Sequence, residues 1–121
     1  MANTFKVVTF AAEPASAGTE YLMYTTAGST TTVVLGLILA NLHTAQVTTT
    51  VRLISTTTKT GATGDANNGT SILVKNAPIP VGGSLEILTG SKVVLETGDK
   101  IDIDCSVADM LSGTLSVMEI T

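Results

Sequence analysis

The single histidine, His43, and the single cysteine, Cys105, are the first candidates for acid–base or nucleophilic catalysis. A general base needs a nucleophile or carboxylate within hydrogen-bond reach, and no motif places one beside His43. A catalytic cysteine needs neighbours that favour its thiolate, whereas Cys105 follows Ile101 and Ile103 in phase with an apolar face. We therefore interpret His43 as a turn or interface residue and Cys105 as a small buried hydrophobe. No catalytic residue is predicted, and an enzyme is the least favoured class of protein.

Three acidic residues, Asp99, Asp102 and Asp104, are the best candidates for a cation site. Asp102 and Asp104 share one face of a predicted strand, and carboxylate oxygens are calcium ligands. However, calcium sites often take several ligands from one tight loop, whereas a strand spaces its side chains out, and Lys100 neutralises part of the charge. The pattern favours a solvent-facing acidic row over a calcium site. No metal and no cofactor is predicted, although the sequence leaves open whether these carboxylates bind a cation.

The elements that must position these residues are organised around the stretch from Thr30 to Ser55. Its first half, Val33 to Ala40, is apolar apart from one glycine. Its second half, from Val47, alternates between apolar and polar side chains. A continuous apolar run followed by period-two alternation is typical of a central strand and a half-exposed one. We predict that the two form a hairpin, joined by the polar turn 41–46, at the centre of a β-sandwich.

The remaining chain also has the pattern of short strands separated by turns that contain Gly and Pro. Pro78 and Pro80 place their segment at a sheet edge or in a crossing between sheets, because proline cannot donate to a ladder. The sequence therefore predicts an all-β fold, a single antiparallel β-sandwich or jelly roll of about eight strands. We divide it into an N-terminal strand or arm with its loop, residues 1–18, and a sandwich domain, residues 19–121.

The composition limits the classes of partner. Net charge is −4 with only six Lys and Arg, which disfavours direct nucleic-acid binding. Charged residues are only 13% of the chain, so its surface must be covered by uncharged polar residues or by other subunits. The single cysteine excludes an internal disulfide, and the longest apolar run is too short to span a bilayer as a helix. Since residues 1–10 lack a signal-peptide pattern, we expect synthesis without export.

Threonine is concentrated in three runs, 30–32, 48–50 and 56–58. Such β-branched side chains stabilise strands and leave their faces uncharged. These faces suit contact with another subunit, but they also occur on plain exposed sheets. The sequence leaves these two alternatives open.

Two long segments, TVVLGLILANLHTAQVTTTVRLI and NAPIPVGGSLEILTGSKVVLETGDKIDIDCSVADMLSGTLSVMEI, resemble a group of small virion proteins of tailed bacteriophages, especially of marine and cyanobacterial hosts. The resemblance covers roughly residues 20–121. It implies a β-sandwich virion component that is assembled in the host cytoplasm, and it brings no catalytic residues. The shared features are Leu39 to Asn41, Val47 to Val51, Pro78 to Pro80, Leu95 to Ile101 and Ser116 to Ile120.

The hypothesis that follows from the resemblance is a capsid decoration, or cement, protein. It would stabilise the head lattice by binding the major capsid protein or other virion proteins, and it would form a symmetric homo-oligomer, with a trimer favoured. The candidate contacts are the N-terminal strand and the tip 56–69, a departure from the resemblance that is rich in Gly, Asn and Thr. The predicted interface residues are Phe5, Val7, Phe10, Thr57, Lys59 and Asn67.

Two alternatives remain. A neck, tail or fibre-associated virion protein would have the same fold and would also oligomerise. A carbohydrate-binding or host-surface-binding module ranks lower, because sugar sites often stack the ring on aromatic side chains. This chain has only four, Phe5, Phe10, Tyr21 and Tyr24. Neither a membrane nor a nucleic acid is predicted as a partner.

Overall fold

The computed structural model describes residues 2–56, 69–88 and 92–121, which form nine strands and no helix. The predicted all-β sandwich is confirmed. The described residues accordingly contain no helix that is long and apolar enough to cross a membrane. The strands are β1 (Asn3–Glu13), β2 (Tyr21–Thr25), β3 (Thr31–Asn41), β4 (Val47–Ile54), β5 (Thr70–Ile79), β6 (Ser84–Ile87), β7 (Val93–Leu95), β8 (Lys100–Cys105) and β9 (Leu111–Ile120).

The strands form two antiparallel sheets. The first sheet has the order β1-β9-β3, and both β6 and β7 pair with the far side of β3. The second sheet has the order β2-β8-β4-β5. When β6 and β7 are counted as one interrupted strand, this is the eight-strand order of a jelly roll.

The predicted hairpin of β3 and β4 is wrong. β3 pairs with β9, β6 and β7 in the first sheet, whereas β4 pairs with β5 and β8 in the second. Residues 42–46 therefore cross between sheets. The physical reason is that each strand has a buried apolar side, with Leu37 and Leu39 on β3 and Val47 and Val51 on β4. These sides cover each other when the strands lie in opposite sheets.

The core between the sheets is almost entirely aliphatic. Cys105 is fully buried in it, which confirms its interpretation as a small hydrophobe. The ring of Phe10 lies 5.0 Å from that of Tyr21 and contributes the one buried aromatic side chain of the described residues. The fully buried large side chains are Val34, Leu37, Leu39, Val47, Val51, Ile79, Leu95, Ile101, Ile103, Leu111, Leu115 and Val117.

The N-terminal strand is part of this architecture. β1 pairs with β9 without interruption from Asn3 opposite Ile120 to Phe10 opposite Gly113, and it forms one edge of the first sheet. At another edge, β5 carries Pro78 and ends where residues 80–83 cross to β6 in the first sheet. The placement of the proline segment at an edge and a crossing is thereby confirmed.

Candidate interaction surface

The outer side of the first sheet, which faces away from the core, is apolar. Side chains alternate along a strand, so the residues that flank buried Leu115 and Val117 on β9 point outward. We define the outer face as the outward side chains of β1, β9, β3, β6 and β7. Its apolar members are Phe5, Val7, Val33, Leu35, Ile38, Ala40, Val94, Met118 and Ile120.

Strand register brings four of these side chains into one row. Phe5 lies opposite Met118, Met118 lies opposite Val33, and Val33 lies opposite Val94. The row thus crosses four strands, and directly opposed side chains on one face of a sheet contact each other. Phe5 is 72% exposed and Val94 is 58% exposed. An apolar row with both ends in water is unusual for an isolated domain and is typical of a contact surface.

A shallow cavity lies beside this row. The register shifts between Val34 and Gly36, so β3 bulges at this point. The resulting depression has a volume of about 270 Å³. Among the described strands the one charged side chain on the outer face is Glu86, at its rim. The lining residues are Leu35, Gly36, Leu37, Ile38, Glu86, Thr114 and Ser116.

The charges of β1 and β9 lie on the other side of the sheet. Lys6 Nζ is 2.7 Å from Glu119 Oε1, and the Tyr24 hydroxyl donates to Glu119 Oε2 at 2.5 Å. Tyr24 also shares a hydrogen bond with Thr32, so this cluster links the two sheets. The hydrogen bonds from Lys6 and Tyr24 lower the pKa of Glu119. Burial, with a smaller contribution from Glu119, raises the pKa of Tyr24.

The outer side of the second sheet holds the acidic residues, beside the exposed apolar side chains of Leu22 and Ile72. Arg52 on β4 lies opposite Asp102 on β8, and its guanidinium is 3.4 Å from Asp102 Oδ1 and 2.9 Å from Asp104 Oδ2. Glu20 approaches the same guanidinium at 3.7 Å. Burial raises the pKa of Asp102, and the charge of Glu20 adds to this, while Arg52 acts in the opposite direction.

The expectation of a solvent-facing acidic row is wrong. Asp99 is only 4% exposed and Asp102 only 3%. Arg52 covers and neutralises Asp102, whereas the carboxylate of Asp99 accepts hydrogen bonds from the Ser55 hydroxyl at 3.0 Å and the Glu96 backbone N–H at 3.0 Å. Asp99 thus closes a turn. In the described parts of the chain, no three His, Cys, Asp or Glu side chains form a group that could hold a metal ion.

Neither His43 nor Cys105 lies in surroundings that suit catalysis. The backbone N–H of His43 donates to Asn41 Oδ1 at 2.7 Å in the turn after β3. Cys105 lies in the core, where solvent does not reach its thiol. A soluble substrate could therefore not contact the thiol of Cys105.

The predicted interface residues divide into three groups. Phe5 and Val7 lie on the outer face, and Val7 is 64% exposed. Phe10 is buried in the chain's own core against Tyr21, so its ring is not at the surface. The other three, Thr57, Lys59 and Asn67, lie outside the described residues.

Sequence reasoning missed the rest of the outer face, above all Val33, Val94 and Met118. A signal was present: in Val33–Val34, Val93–Val94 and Val117–Met118, neighbouring residues are both apolar. Adjacent strand residues point to opposite faces, so such pairs place apolar side chains on both sides of a sheet. Comparisons with protein-family models, with curated proteins and with solved structures find no match for this chain.

Proposed function

We propose that this chain is a structural protein of a tailed-bacteriophage virion, a capsid decoration protein that binds the head lattice through its outer face. The observation that carries the proposal is an apolar row on a sheet face with one charged side chain among its described strands. The ends of the row, Phe5 and Val94, are exposed, and its middle residues, Met118 and Val33, are half-buried. The resemblance over residues 20–121 supports the virion assignment. The jelly-roll topology supports it at the level of analogy only, since viral capsid proteins and lectins both use this fold.

The size of the outer face suits a protein partner. A sheet four strands wide, with strands about 4.8 Å apart and about 33 Å long, covers roughly 600 Å². Stable protein interfaces bury about 800 Å² on each partner, so the outer face and its rim are of the right order. Complete burial of an exposed Phe or Val side chain contributes about 1.5–3 kcal/mol. Repeated over many copies, such contacts would hold neighbouring capsid subunits together against internal pressure.

A carbohydrate-binding module is less well supported by the geometry. Of the four aromatic rings, Phe10 lies in the core with Tyr21 packed against it, and the Tyr24 hydroxyl is engaged by Glu119. Phe5 alone presents a widely exposed ring, and its neighbours in the row are aliphatic. A sugar ring would find few polar groups there to orient its hydroxyls. A neck or tail location shares the fold and the apolar face, and it is separated from decoration by copy number.

The proposal is tested by binding of the purified chain to heads, prepared without it, of the phage that encodes it. Phe5→Ser and Val94→Thr are each expected to weaken binding about tenfold or more, because each removes apolar area from the contact. Ile72→Thr is the matched control, since Ile72 is also exposed but lies opposite Arg52 on the second sheet. Equal binding by all three variants would contradict the outer face as the contact. Reproducible hits on a glycan array would instead favour the carbohydrate alternative.

A further inference from the structure

The edge of β1 that faces away from β9, which pairs with no other strand among the described residues, supplies a second contact. We infer that two copies of this chain pair antiparallel through their β1 strands, so that their first sheets become one continuous sheet. This inference rests on the proposed function in one respect: it identifies the surface for the self-association that an assembled virion protein needs. Its own observations are the register of β1, the state of the other sheet edges and the position of Lys6.

The register of β1 with β9 determines which backbone N–H and C=O groups of β1 point away from β9. Ala2 and Thr121 exchange both backbone hydrogen bonds, at 3.1 and 2.9 Å, so they form a hydrogen-bonded pair. Such pairs alternate with non-bonded pairs along an antiparallel ladder, and the register is unbroken to Phe10 opposite Gly113. Every second residue from Ala2 therefore bonds to β9. The N–H and C=O groups that face away from β9 belong to Asn3, Phe5, Val7 and Thr9.

The other edges of the sandwich are better protected against strand addition than the edge of β1. β5 carries Lys75, Asn76 with a positive φ of 48°, and Pro78, and its ladder with β4 is interrupted twice. β2 has five residues and a bulge, while β6 and β7 have four and three residues. Short strands, bulges, lysine and proline are the usual means of blocking strand addition. β1 carries one lysine, Lys6, but it has no proline and its register with β9 is unbroken over the eight residues from Asn3 to Phe10.

Two identical strands related by a two-fold axis run antiparallel, so β1 can pair with β1 of a second copy. If Phe5 pairs with Val7 of the second copy, Asn3 pairs with Thr9 of the second copy, and all four free residues of each β1 are satisfied. Lys6 then lies opposite Lys6 of the second copy. This does not oppose pairing, because each Lys6 is 2.7 Å from its own Glu119, so the four charges form a neutral group.

Pairing in this register also brings the most exposed apolar side chains of the two copies into lateral contact, while the outer face itself stays open. Phe5 and Val7 lie on the outer face at the edge of the sheet. Directly opposed side chains contact each other across strands, so each Phe5 would pack on Val7 of the second copy. The two outer faces would join into one larger surface. Such pairing is isologous and closes at two copies, so it gives a dimer and not the trimer expected of a decoration protein.

Light scattering of the full chain over a range of concentrations tests the inference. Wild type is expected at twice the chain mass of 12.4 kDa. Val7→Pro and Thr9→Pro each remove a free-edge N–H and leave the ladder with β9 intact, so both are expected to give monomers. Val7→Thr and Thr9→Ser keep the N–H and are expected to remain dimers. A trimer, or a dimer that both proline variants preserve, would overturn the inference.

Amide hydrogen exchange on the wild-type protein gives an answer that does not depend on how the proline variants fold. In a lone chain the N–H groups of Phe5 and Val7 face solvent and exchange fast. In the paired form they are expected to exchange at least tenfold more slowly as concentration rises. Fast exchange at both positions, with a monomer mass at every concentration, would overturn the inference.

The outcomes also separate this inference from the proposed function. A monomer that still decorates heads overturns β1 pairing and leaves the decoration proposal in place. A dimer that both proline variants abolish, in a protein that does not bind heads, supports β1 pairing and contradicts the decoration proposal.

Discussion

Asn41 donates a hydrogen bond from Nδ2 to the carbonyl oxygen of Ile79 at 3.0 Å, and thereby ties the end of β3 in the first sheet to the end of β5 in the second. The same amide group donates to Ala45 and Pro80 at 2.9 and 3.2 Å, and its oxygen accepts from the His43 backbone. Asn41 is buried. One side chain thus joins the turn after β3 to the proline crossing, two segments that are far apart in the sequence.

Replacement of Asn41 is expected to be costly. Asn41→Ala leaves several backbone groups without their partner, including the carbonyl of Ile79, and an unsatisfied buried polar group costs about 1–3 kcal/mol. We expect the free energy of unfolding to fall by about 2–3 kcal/mol in chemical denaturation. His43→Ala is the control, because the backbone N–H of His43 makes the bond to Asn41 and is retained. A loss below about 0.5 kcal/mol for Asn41→Ala would contradict this role.

Two buried threonines provide a matched test of hydroxyl satisfaction. Thr26 Oγ1 is buried and has no hydrogen-bond partner among the described residues, whereas Thr49 Oγ1 donates to the Asp104 carbonyl at 2.7 Å. Thr26→Val is expected to stabilise the fold by about 1 kcal/mol, and Thr49→Val to destabilise it by about 1 kcal/mol. Thermal and denaturant unfolding of both variants measure the contrast. Shifts of the same sign would contradict the assignment.

Two glycines of the first sheet should respond oppositely to an added methyl group. A Cβ at Gly113 would lie 2.3 Å from the ring of Phe10, so Gly113→Ala is expected to cost about 1–3 kcal/mol. At Gly36 an added Cβ would meet nothing within 4 Å. Gly36→Ala is therefore expected to be neutral or to stabilise by about 0.4–1 kcal/mol. Tolerance at Gly113 would mean that Phe10 does not hold the position in the core described here.

The ion pair between Lys6 and Glu119 predicts a pH dependence. The folded-state pKa of Glu119 lies below its ordinary value of 4.5, so its stabilising contribution is fully present above pH 4.5 and is lost as the pH falls through the folded-state pKa. Wild type should therefore be more stable than Glu119→Gln near neutral pH, and the difference should shrink below pH 4.5.

Melting temperatures of both proteins between pH 7 and pH 3 measure this difference, and other titrating groups affect both alike. Glu86→Gln is the control, because the carboxylate of Glu86 lies at the rim of the outer-face cavity. A gap between wild type and Glu119→Gln that stays constant with pH would contradict the coupling.

The fold class could be predicted because alternation and turn residues are local properties. The apolar run in β3 and the alternation of Val47, Thr49 and Val51 in β4 identified two strands and their buried sides. The pairing partners of these two strands could not be predicted, because pairing is not a local property of the sequence. Hydrogen-bond partners depend on which sheet each strand joins, and period-two alternation is the same in a hairpin and in two opposed sheets.

The site was predictable only in part. The predicted interface residues Phe5 and Val7 lie on the exposed outer face, whereas Phe10 is buried, because strand composition alone does not show that the sandwich covers only the far end of β1. The prediction of a solvent-facing acidic row is wrong for a related reason. Arg52 precedes Asp102 by fifty positions, and only the register of β4 with β8 brings the two together.

Counting the copies of this chain per particle is the strongest test of the proposal that the outer face attaches many copies to a phage head. Quantitative mass spectrometry of purified virions, with the major capsid protein as the internal reference, makes this measurement. We expect a copy number in a fixed stoichiometric ratio to the capsid subunits. A handful of copies per particle would place the chain at a neck or tail, and absence of the chain from virions would rule out a virion role.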